Sequence, residues 1–591
     1  MCGIIGYCGN KPAVPIILEG LKRLEYRGYD SAGVASLCDD RLVIEKDAGK
    51  VDEVIQKHNL ASLPGMVAIG HTRWATHGGV TQSNAHPHSD CRGRVAVAHN
   101  GIVENNQELR QELIKMGHKF ASETDTEVIP HLIEDELKSG CSLEQAVSNI
   151  APRLAGSYAF LAMSLDDPGK IVGTRRNNPL IVGIDSSDYY ISSDALAFAQ
   201  YTAQVTNLGD NEVVVLTQEG IEFFDSNGNR LAKQVRKLDH SWTESHKGGY
   251  QHFMLKEIME QAQVLEETAR QDGNKFTKIA LDILRANQVI VTACGTSRYA
   301  ALVGRYLFSK VGKKFCDVVM ASEFGYFADS VDKNTVVIAV SQSGETADII
   351  EGVKAARAAG GHIISIVNRP NSILADLSQQ VIYLNCGAEI AVAATKTFLS
   401  QLAIFYLLSF AMVNSFDEAI AKLAGLNGEI TRVLDWNKNE LIKLSQQLKG
   451  KNDFYYIARG INFAIASEGA LKLKEISYAH AEGMPAGELK HGTLALIEPG
   501  TPVVVICPAD YTFAETLSNA IEAKSRGAYI IGVSDKESDI FDSWVRLPKV
   551  DELLYPMVAV VPLQLLAYYL AVSRGCDPDK PRNLAKSVTV K

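Results

Sequence analysis

The sequence predicts an α+β domain with substantial antiparallel sheet, followed by two α/β repeats built on parallel sheets. Three observations lead there. Short period-two or continuous apolar runs fill residues 1 to about 240, strand–Gly–helix alternation fills the remainder, and that alternation recurs at an offset of roughly 165 residues. At 591 residues the chain is too long for one core.

In the first region, RVAVAHNGIV, SYAFLAMSL and NEVVVLT read as strands punctuated by Gly, Asn and Asp, with helical stretches such as ENNQELRQELIKMG between them. The polar, Gly-containing segment around 240–253 reads as part of a linker. From about 277, QVIVTACGTSRYAALVGRYLF is an apolar strand, a tight turn and a helix, and TVVIAVSQSGETADIIEGVKAA repeats the plan. DFYYIARGINFAIASEGALKL and TPVVVICPADYTFAETLSNAI look like second copies of these units. The second copy carries Pro-Ala-Asp-Tyr where the first has Ser-Gln-Ser-Gly. A ligand held through that turn belongs to the first copy.

Composition excludes several classes. The net charge of -10 argues against a nucleic-acid footprint. Ten cysteines without a CxxC pair support neither a zinc ribbon nor a disulfide framework, so no metal is expected and a reducing cytoplasm is. The N-terminus lacks the basic and apolar regions of a secretory signal. Leu402–Val413 and Met557–Val572 are shorter than the ~20 residues of a spanning helix and read as buried helices, so no membrane is expected.

Cys2 is the first candidate for chemistry. Removal of Met1 makes it the N-terminus, and an α-amine with a pKa near ~8 is a general base for its own thiol. Alone, a second-position Cys carries little weight; the same holds for Arg73 as an ion-pair partner, Asn100-Gly101 as a turn and Asp125 as a helix cap. Together MCGIIGY, LEYRGYDSAG (24–33), HTRWATHG (71–78), HNGIVEN (99–105) and SETDTEV (122–128) resemble, in order, the class II glutamine amidotransferase family. The resemblance implies an N-terminal-nucleophile fold and a substrate, L-glutamine. It gives Cys2 as nucleophile, with Asn100 and Gly101 as donors to the oxyanion. Arg73 would hold the α-carboxylate and Asp125 the α-ammonium. Arg27, Trp74, Thr76 and His77 complete the implied glutamine site, with Arg27 closing near the thiol and Trp74 gating ammonia.

The later region supplies an acceptor. SQSGET (341–346) places hydroxyls at the turn entering a helix, which suits a phosphate, although a simple Ser/Thr-capped helix has the same look. Glu468, Lys472 and Glu475 share one helical face, as catalytic groups or as a solvated ion-pair stripe. Lys586 lies in a small, apolar phrase, where desolvation would prepare it for imine formation, or it is a solvated tail lysine.

CGTS (294–297) with SQSGET resembles the sugar isomerase (SIS) domain. LKLKEISYAHAE, GELKHG and PRNLAKSV resemble the isomerase half of the isomerising glutamine:fructose-6-phosphate amidotransferase family. The full resemblance is to an α+β N-terminal-nucleophile glutaminase domain followed by two α/β SIS domains with parallel sheets. It implies a glutaminase domain at 1–240, a linker at 241–276, SIS domains at 277–425 and 445–575, and a C-terminal tail at 576–591. It implies a cofactor-free, cytoplasmic homodimer that makes glucosamine 6-phosphate from fructose 6-phosphate. Lys586 would form the Schiff base, Glu475 would move a proton between C1 and C2, and His491, from a neighbouring subunit, would open the ring. Ser341, Gln342, Ser343 and Thr346 would bind phosphate; Thr296, Ser297, Val392, Lys472 and Ala585 would line the sugar site. Two departures from the family pattern are Ala394, in VAAT where VAST is usual, and the terminal Lys591. Another ketose phosphate as acceptor, and a sugar-phosphate-sensing regulator, stay open as rivals.

Overall fold

The computed structural model describes residues 2–38, 41–238, 247–370 and 372–589. They form two compact units: Met1–Ser245 with Ser587–Lys591, and His246–Lys586. Lys591 lies outside the described residues.

In the first unit, the strand Gly3–Cys8 lies between Val67–Arg73 and Asp188–Ser192, antiparallel to both, inside an eight-stranded sheet. A second, six-stranded sheet is built around Val95–Val103 and Gly156–Ser164. The sheets face one another across a core that holds Ile4, Cys8, Ile69 and Ile191 from the first, with Ala98, Leu161 and Val214 from the second. Period-two alternation sends Ile5 and Tyr7 to the opposite face, where they meet Ile17 and Leu21 of the helix Ala13–Leu24. The outer face of the second sheet is covered by Asn106–Lys115, Val128–Lys138 and Leu143–Ile150. The result is four layers, helix–sheet–sheet–helix.

The second unit contains two five-stranded parallel sheets. One is ordered Asp317–Met320, Gln288–Ala293, Thr335–Ser341, His362–Val367, Gln380–Tyr383. The other repeats that order with His480–Pro485, Asp453–Ala458, Pro502–Ile506, Tyr529–Ser534 and Ser543–Arg546. Their central strands are largely apolar because helices cover both faces. Lys396–Ala411 and Tyr555–Ser573 are the buried helices expected from the two long apolar stretches, with nearly every side chain inside the unit.

Two boundaries differ from the sequence expectation. Of the segment 241–276 read as linker, residues 241–246 lie outside the described residues. The rest carries the helices Phe253–Met259 and Gln261–Ala269 and the start of Gly273–Arg285, with Met254, Ile258, Leu265 and Phe276 in the main core. The expected gap between repeats, 426–444, falls inside a single helix, Phe416–Leu448.

Candidate active sites

Sheet register assembles the first site. Gly3 pairs with Thr72, so the end of Val67–Arg73 delivers Arg73 and Trp74 beside Cys2. The Trp74 N–H donates to the Cys2 sulfur at 3.3 Å, and the thiol reaches the Trp74 carbonyl at 3.5 Å. From the facing sheet, Asn100 donates through Nδ2 to the Cys2 carbonyl at 2.9 Å; from the turn Glu25–Arg27, Arg27 donates through Nε to the same oxygen at 3.2 Å. Arg27 also pairs with Asp194 at 3.4 Å, which fixes its guanidinium. Gly101 has φ +119°, and a Cβ there would meet the Ser157 carbonyl at 2.0 Å. Only glycine fits at that position.

Charge gives this site its chemistry. Arg73 is 3% exposed, and its hydrogen bonds go to the carbonyls of His77, Gly78 and Gly79, at 2.5, 3.3 and 3.0 Å. Among the described residues it has no carboxylate partner. Asp125 is 5% exposed and accepts from the Val103 N–H at 2.7 Å, with no cationic partner among the described residues. Both act electrostatically on the Cys2 thiol, which burial pushes up while Arg73 and the Trp74 N–H oppose the rise. A buried cation and a buried anion, neither in a salt bridge among the described residues, lie beside a thiol, an arrangement whose charges suit the two ends of a zwitterionic amino acid. Trp74 is half-buried against Tyr29, their rings edge-to-face at 6.5 Å, and Ala75 is tethered to Asp30 at 2.8 Å. Thr76 is exposed and His77 half-buried, with 3.4 Å between the Thr76 hydroxyl and His77 Nδ1.

The second site centres on Lys586. Its ammonium pairs with the Glu389 carboxylate, both side chains buried. Glu389 also accepts from the Thr395 N–H at 2.9 Å, the Thr397 N–H at 3.1 Å and the Thr397 hydroxyl at 2.8 Å. Burial opposes its ionisation, but Lys586 and these donors hold the carboxyl below its ordinary value. Glu257, on Phe253–Met259, is pushed up to about 8 by burial and by Glu389. The tail is pinned nearby: Asp579 caps that same helix through the Phe253 and Met254 N–H groups, each at 2.8 Å, and its carbonyl accepts from Val392 at 3.1 Å. Ala394 and Ala585 are half-buried close by in sequence to these anchors.

Glu468, Lys472 and Glu475 do share a face of Phe463–Ser477, and Glu468 and Lys472 are buried while Glu475 is half-buried. Lys472 donates to Glu475 at 2.6 Å and to the Thr296 hydroxyl at 2.9 Å, and lies 3.5 Å from Glu468. Burial works to lower Lys472, yet Glu468, Glu475 and Glu389 raise it. Glu389's influence puts the Lys472 and Lys586 clusters within electrostatic reach of each other. Glu468 is pushed up to about 8 by burial.

Ser341 ends its strand and Thr346 precedes the helix Ala347–Ala358; their hydroxyls are 3.0 Å apart, and Ser341 accepts from the Gly344 N–H at 3.0 Å. Ser343 accepts from the Glu345 N–H at 3.2 Å, and the Gln342 carbonyl accepts from Asn368 at 3.1 Å. Asn368 in turn donates to the Gly387 carbonyl at 2.8 Å, linking this loop to the segment that carries Glu389. Ser297 accepts from Gln401 at 2.9 Å. A strand end feeding a hydroxyl-rich helix N-terminus suits a phosphate monoester. In the second copy, Asp510 fills the equivalent turn, accepting from Thr512 N–H at 2.8 Å and Asn462 at 2.8 Å. A carboxylate there excludes an anionic ligand. His491 lies exposed on Ala486–His491 and makes no hydrogen bond to these groups.

A glutamine amidotransferase domain model matches residues 71–200, and an SIS domain model matches 282–411 and 447–574. The glutamine–fructose-6-phosphate aminotransferase (isomerizing) of Pyrococcus horikoshii is 45% identical, and that of Thermococcus kodakarensis 46% identical, each over all of both chains. The chain belongs to the isomerising glutamine–fructose-6-phosphate aminotransferase family. The C-terminal domain of a glucosamine-fructose-6-phosphate aminotransferase from Francisella tularensis covers 57% of this chain and all of its own, with 34% identity and a TM-score of 0.54. In this aminotransferase chain, Glu389 and Glu257 are the charged residues of the Lys586 cluster that sequence reasoning missed. Glu389 is hidden in an apolar phrase, GAEIAVAAT, and Glu257 in the segment read as linker.

Proposed function

We propose that the chain converts fructose 6-phosphate and glutamine to glucosamine 6-phosphate and glutamate, the entry step of hexosamine (UDP-GlcNAc) synthesis. The observation that carries this is one chain holding both a thiol beside a buried cation and a buried anion, and a buried lysine in a carboxylate cluster.

At the first site Arg73 and Asp125 orient the amino-acid end of glutamine, and Thr76, His77 and Arg27 border it. Cys2 attacks the side-chain amide. Because burial raises the thiol, it needs a base, and the α-amine exposed by loss of Met1 supplies one within the same residue. The Asn100 side chain and the Gly101 N–H then stabilise the oxyanion. At the second site Ser341, Gln342, Ser343 and Thr346 hold the phosphate, while Thr296, Ser297, Val392 and Ala585 contact the sugar. Lys586 attacks the C2 carbonyl through its amine, which Glu389, in direct contact, holds in place. Glu475, fixed by Lys472, moves the proton between C1 and C2. Ammonia passes internally from Cys2 by way of Trp74. An unprotonated amine in bulk water at neutral pH is scarce, so internal transfer preserves the nucleophile.

The exposed His491 supports a homodimer in which the partner subunit's His491 assists ring opening. Ten cysteines outside any disulfide support a cytoplasmic location. We take residues 1–240 as the glutaminase domain and the remainder as the paired SIS domains with their tail.

The test is a glucosamine 6-phosphate assay on the wild type, Cys2→Ala and Lys586→Ala, with glutamine or ammonia, across several ketose phosphates. Cys2→Ala should work only with ammonia. Lys586→Ala should release glutamate and make no amino sugar. Synthesis surviving in Lys586→Ala, or refusal of fructose 6-phosphate by the wild type, overturns the proposal.

A further inference from the structure

A cluster outside both sites brings together four groups of metal-ligand type: Cys91, His118, His131 and Glu134, whose ligand atoms lie within 4.8 Å of one another. Cys91 Sγ is 3.6 Å from His118 Nδ1 and 3.6 Å from His131 Nδ1, and the two Nδ1 atoms are 3.3 Å apart. Glu134 Oε2 is 3.3 Å from His118 Nδ1 and 3.8 Å from His131 Nδ1. We propose that these four side chains form a closed, tetrahedral structural Zn²⁺ site.

The edges of the cluster fit that ion. With Zn–S of about 2.3 Å, Zn–N of about 2.05 Å and tetrahedral angles, S···N edges are about 3.6 Å and N···N and N···O edges about 3.3–3.4 Å. Four of the five measured edges match; the His131–Glu134 edge is the longer one.

The outward-facing atoms also fit. His118 Nε2 meets Asp135 Oδ2 at 3.0 Å and His131 Nε2 faces Glu127 Oε1 at 3.7 Å. The carboxylate bonded to His118 Nε2 favours the proton there and turns that Nδ1 lone pair inward, and the Glu127 carboxylate near His131 Nε2 acts in the same sense without a hydrogen bond. With both Nδ1 lone pairs inward, three acceptors share the thiol proton and the Cys91 N–H, which reaches Glu134 Oε2 at 3.4 Å, too few donors for contacts this close. A divalent cation balances the Cys91 thiolate and the Glu134 carboxylate and satisfies every lone pair. Binding converts Cys91–SH to a Zn-bound thiolate with release of one proton. The Lys119 N–H donates to the sulfur at 3.3 Å, as second-sphere amides do at zinc thiolates, and Lys138 holds the other Glu134 oxygen at 2.9 Å. The mixed S, N, N, O set selects zinc over magnesium or calcium.

The site would tie three segments together. Cys91 lies in the turn before Val95–Val103, which carries Asn100 and Gly101. His118 follows Asn106–Lys115, and His131 and Glu134 sit one turn apart on Val128–Lys138, directly after the Asp125 loop. The expectation of no metal rested on the absence of CxxC. Here the ligands are dispersed, with only the i, i+3 His–Glu pair local.

The experiment uses the full chain without a histidine tag. Elemental analysis after gel filtration in metal-free buffer should give about one zinc per chain in the wild type. Exchange into Co²⁺ should give the intense visible bands of tetrahedral cobalt and a thiolate-to-cobalt charge-transfer band. Cys91→Ser should lose that charge-transfer band, and His131→Ala should lose the metal, while the wild-type melting temperature should fall on chelation and recover with zinc. Should both variants fail to fold, the wild-type stoichiometry and cobalt spectrum decide alone. A wild type with neither zinc nor a cobalt spectrum, or metal content unchanged in folded variants of both residues, overturns the proposal.

Discussion

Glu389→Gln probes the lysine site most sharply. The carboxylate is fully buried, is the direct partner of Lys586, and accepts three further hydrogen bonds from Thr395 and Thr397. The amide removes the charge at constant volume. It leaves a buried ammonium without its counter-ion, and breaking a buried pair from one side costs about 3–5 kcal/mol. At about 1.4 kcal/mol per tenfold, that is a loss of ~10²–10³ in occupancy of the docked Lys586 geometry and hence in amino-sugar formation. The substituted amide would also oppose an N–H of its own to one of the threonine donors, adding to the loss. The assay is glucosamine 6-phosphate formation with saturating ammonia, which bypasses the glutaminase, alongside glutamate release without sugar phosphate. Synthesis should fall by that factor while glutamate release stays within twofold. Synthesis within threefold of wild type would refute the assignment of Glu389 as the group that holds Lys586.

Other outcomes follow from particular contacts. Arg73→Gln should raise KM for glutamine by ~10–100-fold, the worth of about 1.5–3 kcal/mol for a charge-assisted bond, with ammonia-dependent synthesis unchanged. Gly101→Ala should abolish glutamine-dependent synthesis, since its Cβ would meet the Ser157 carbonyl at 2.0 Å; steady-state kinetics with glutamine and with ammonia check both variants. Glu468 is raised to about 8, so between roughly pH 4.5 and 8 the folded state holds a proton that the unfolded chain has released. Stability therefore falls with rising pH across that window by up to about 1.4 kcal/mol per unit. Melting temperatures of Glu468→Gln relative to wild type, taken from pH 5 to 8, should climb with pH, and a flat difference counts against the buried neutral acid. His71 is lowered to about 3 by burial. Its stabilising contribution is present above pH 6.5 and lost as pH falls toward 3, so the glutaminase activity should fail first on acidification, as activity after acid pulses would show.

The residues that gather around Cys2, namely Arg73, Trp74 and Asn100, were legible because they fall in short, ordered phrases at strand ends. Period-two patterning likewise exposed the antiparallel sheets, and the duplicated strand–Gly–helix units exposed the twin parallel sheets. Helices 253–276 were missed although Met254, Ile258, Ala262 and Leu265 follow helical spacing, because the Gly-Gly and polar residues just before them set the expectation of a linker. The long helix Phe416–Leu448 was divided for a similar reason: its polar exposed face resembles a boundary. Glu389 and Glu257 gave no signal, since a lone acid in an apolar phrase declares its partner only after long-range folding. For Lys586 the sequence left a desolvated and a solvated tail lysine open; folding buries its side chain and gives it a carboxylate.

The central claim is that one nitrogen travels from Cys2 to the sugar without entering solution. Glutamine labelled with ¹⁵N in its amide, supplied with excess unlabelled ammonium and fructose 6-phosphate, tests it directly. Mass spectrometry of the glucosamine 6-phosphate should show label undiluted by the bulk pool, whereas dilution in proportion to bulk ammonium would contradict the account.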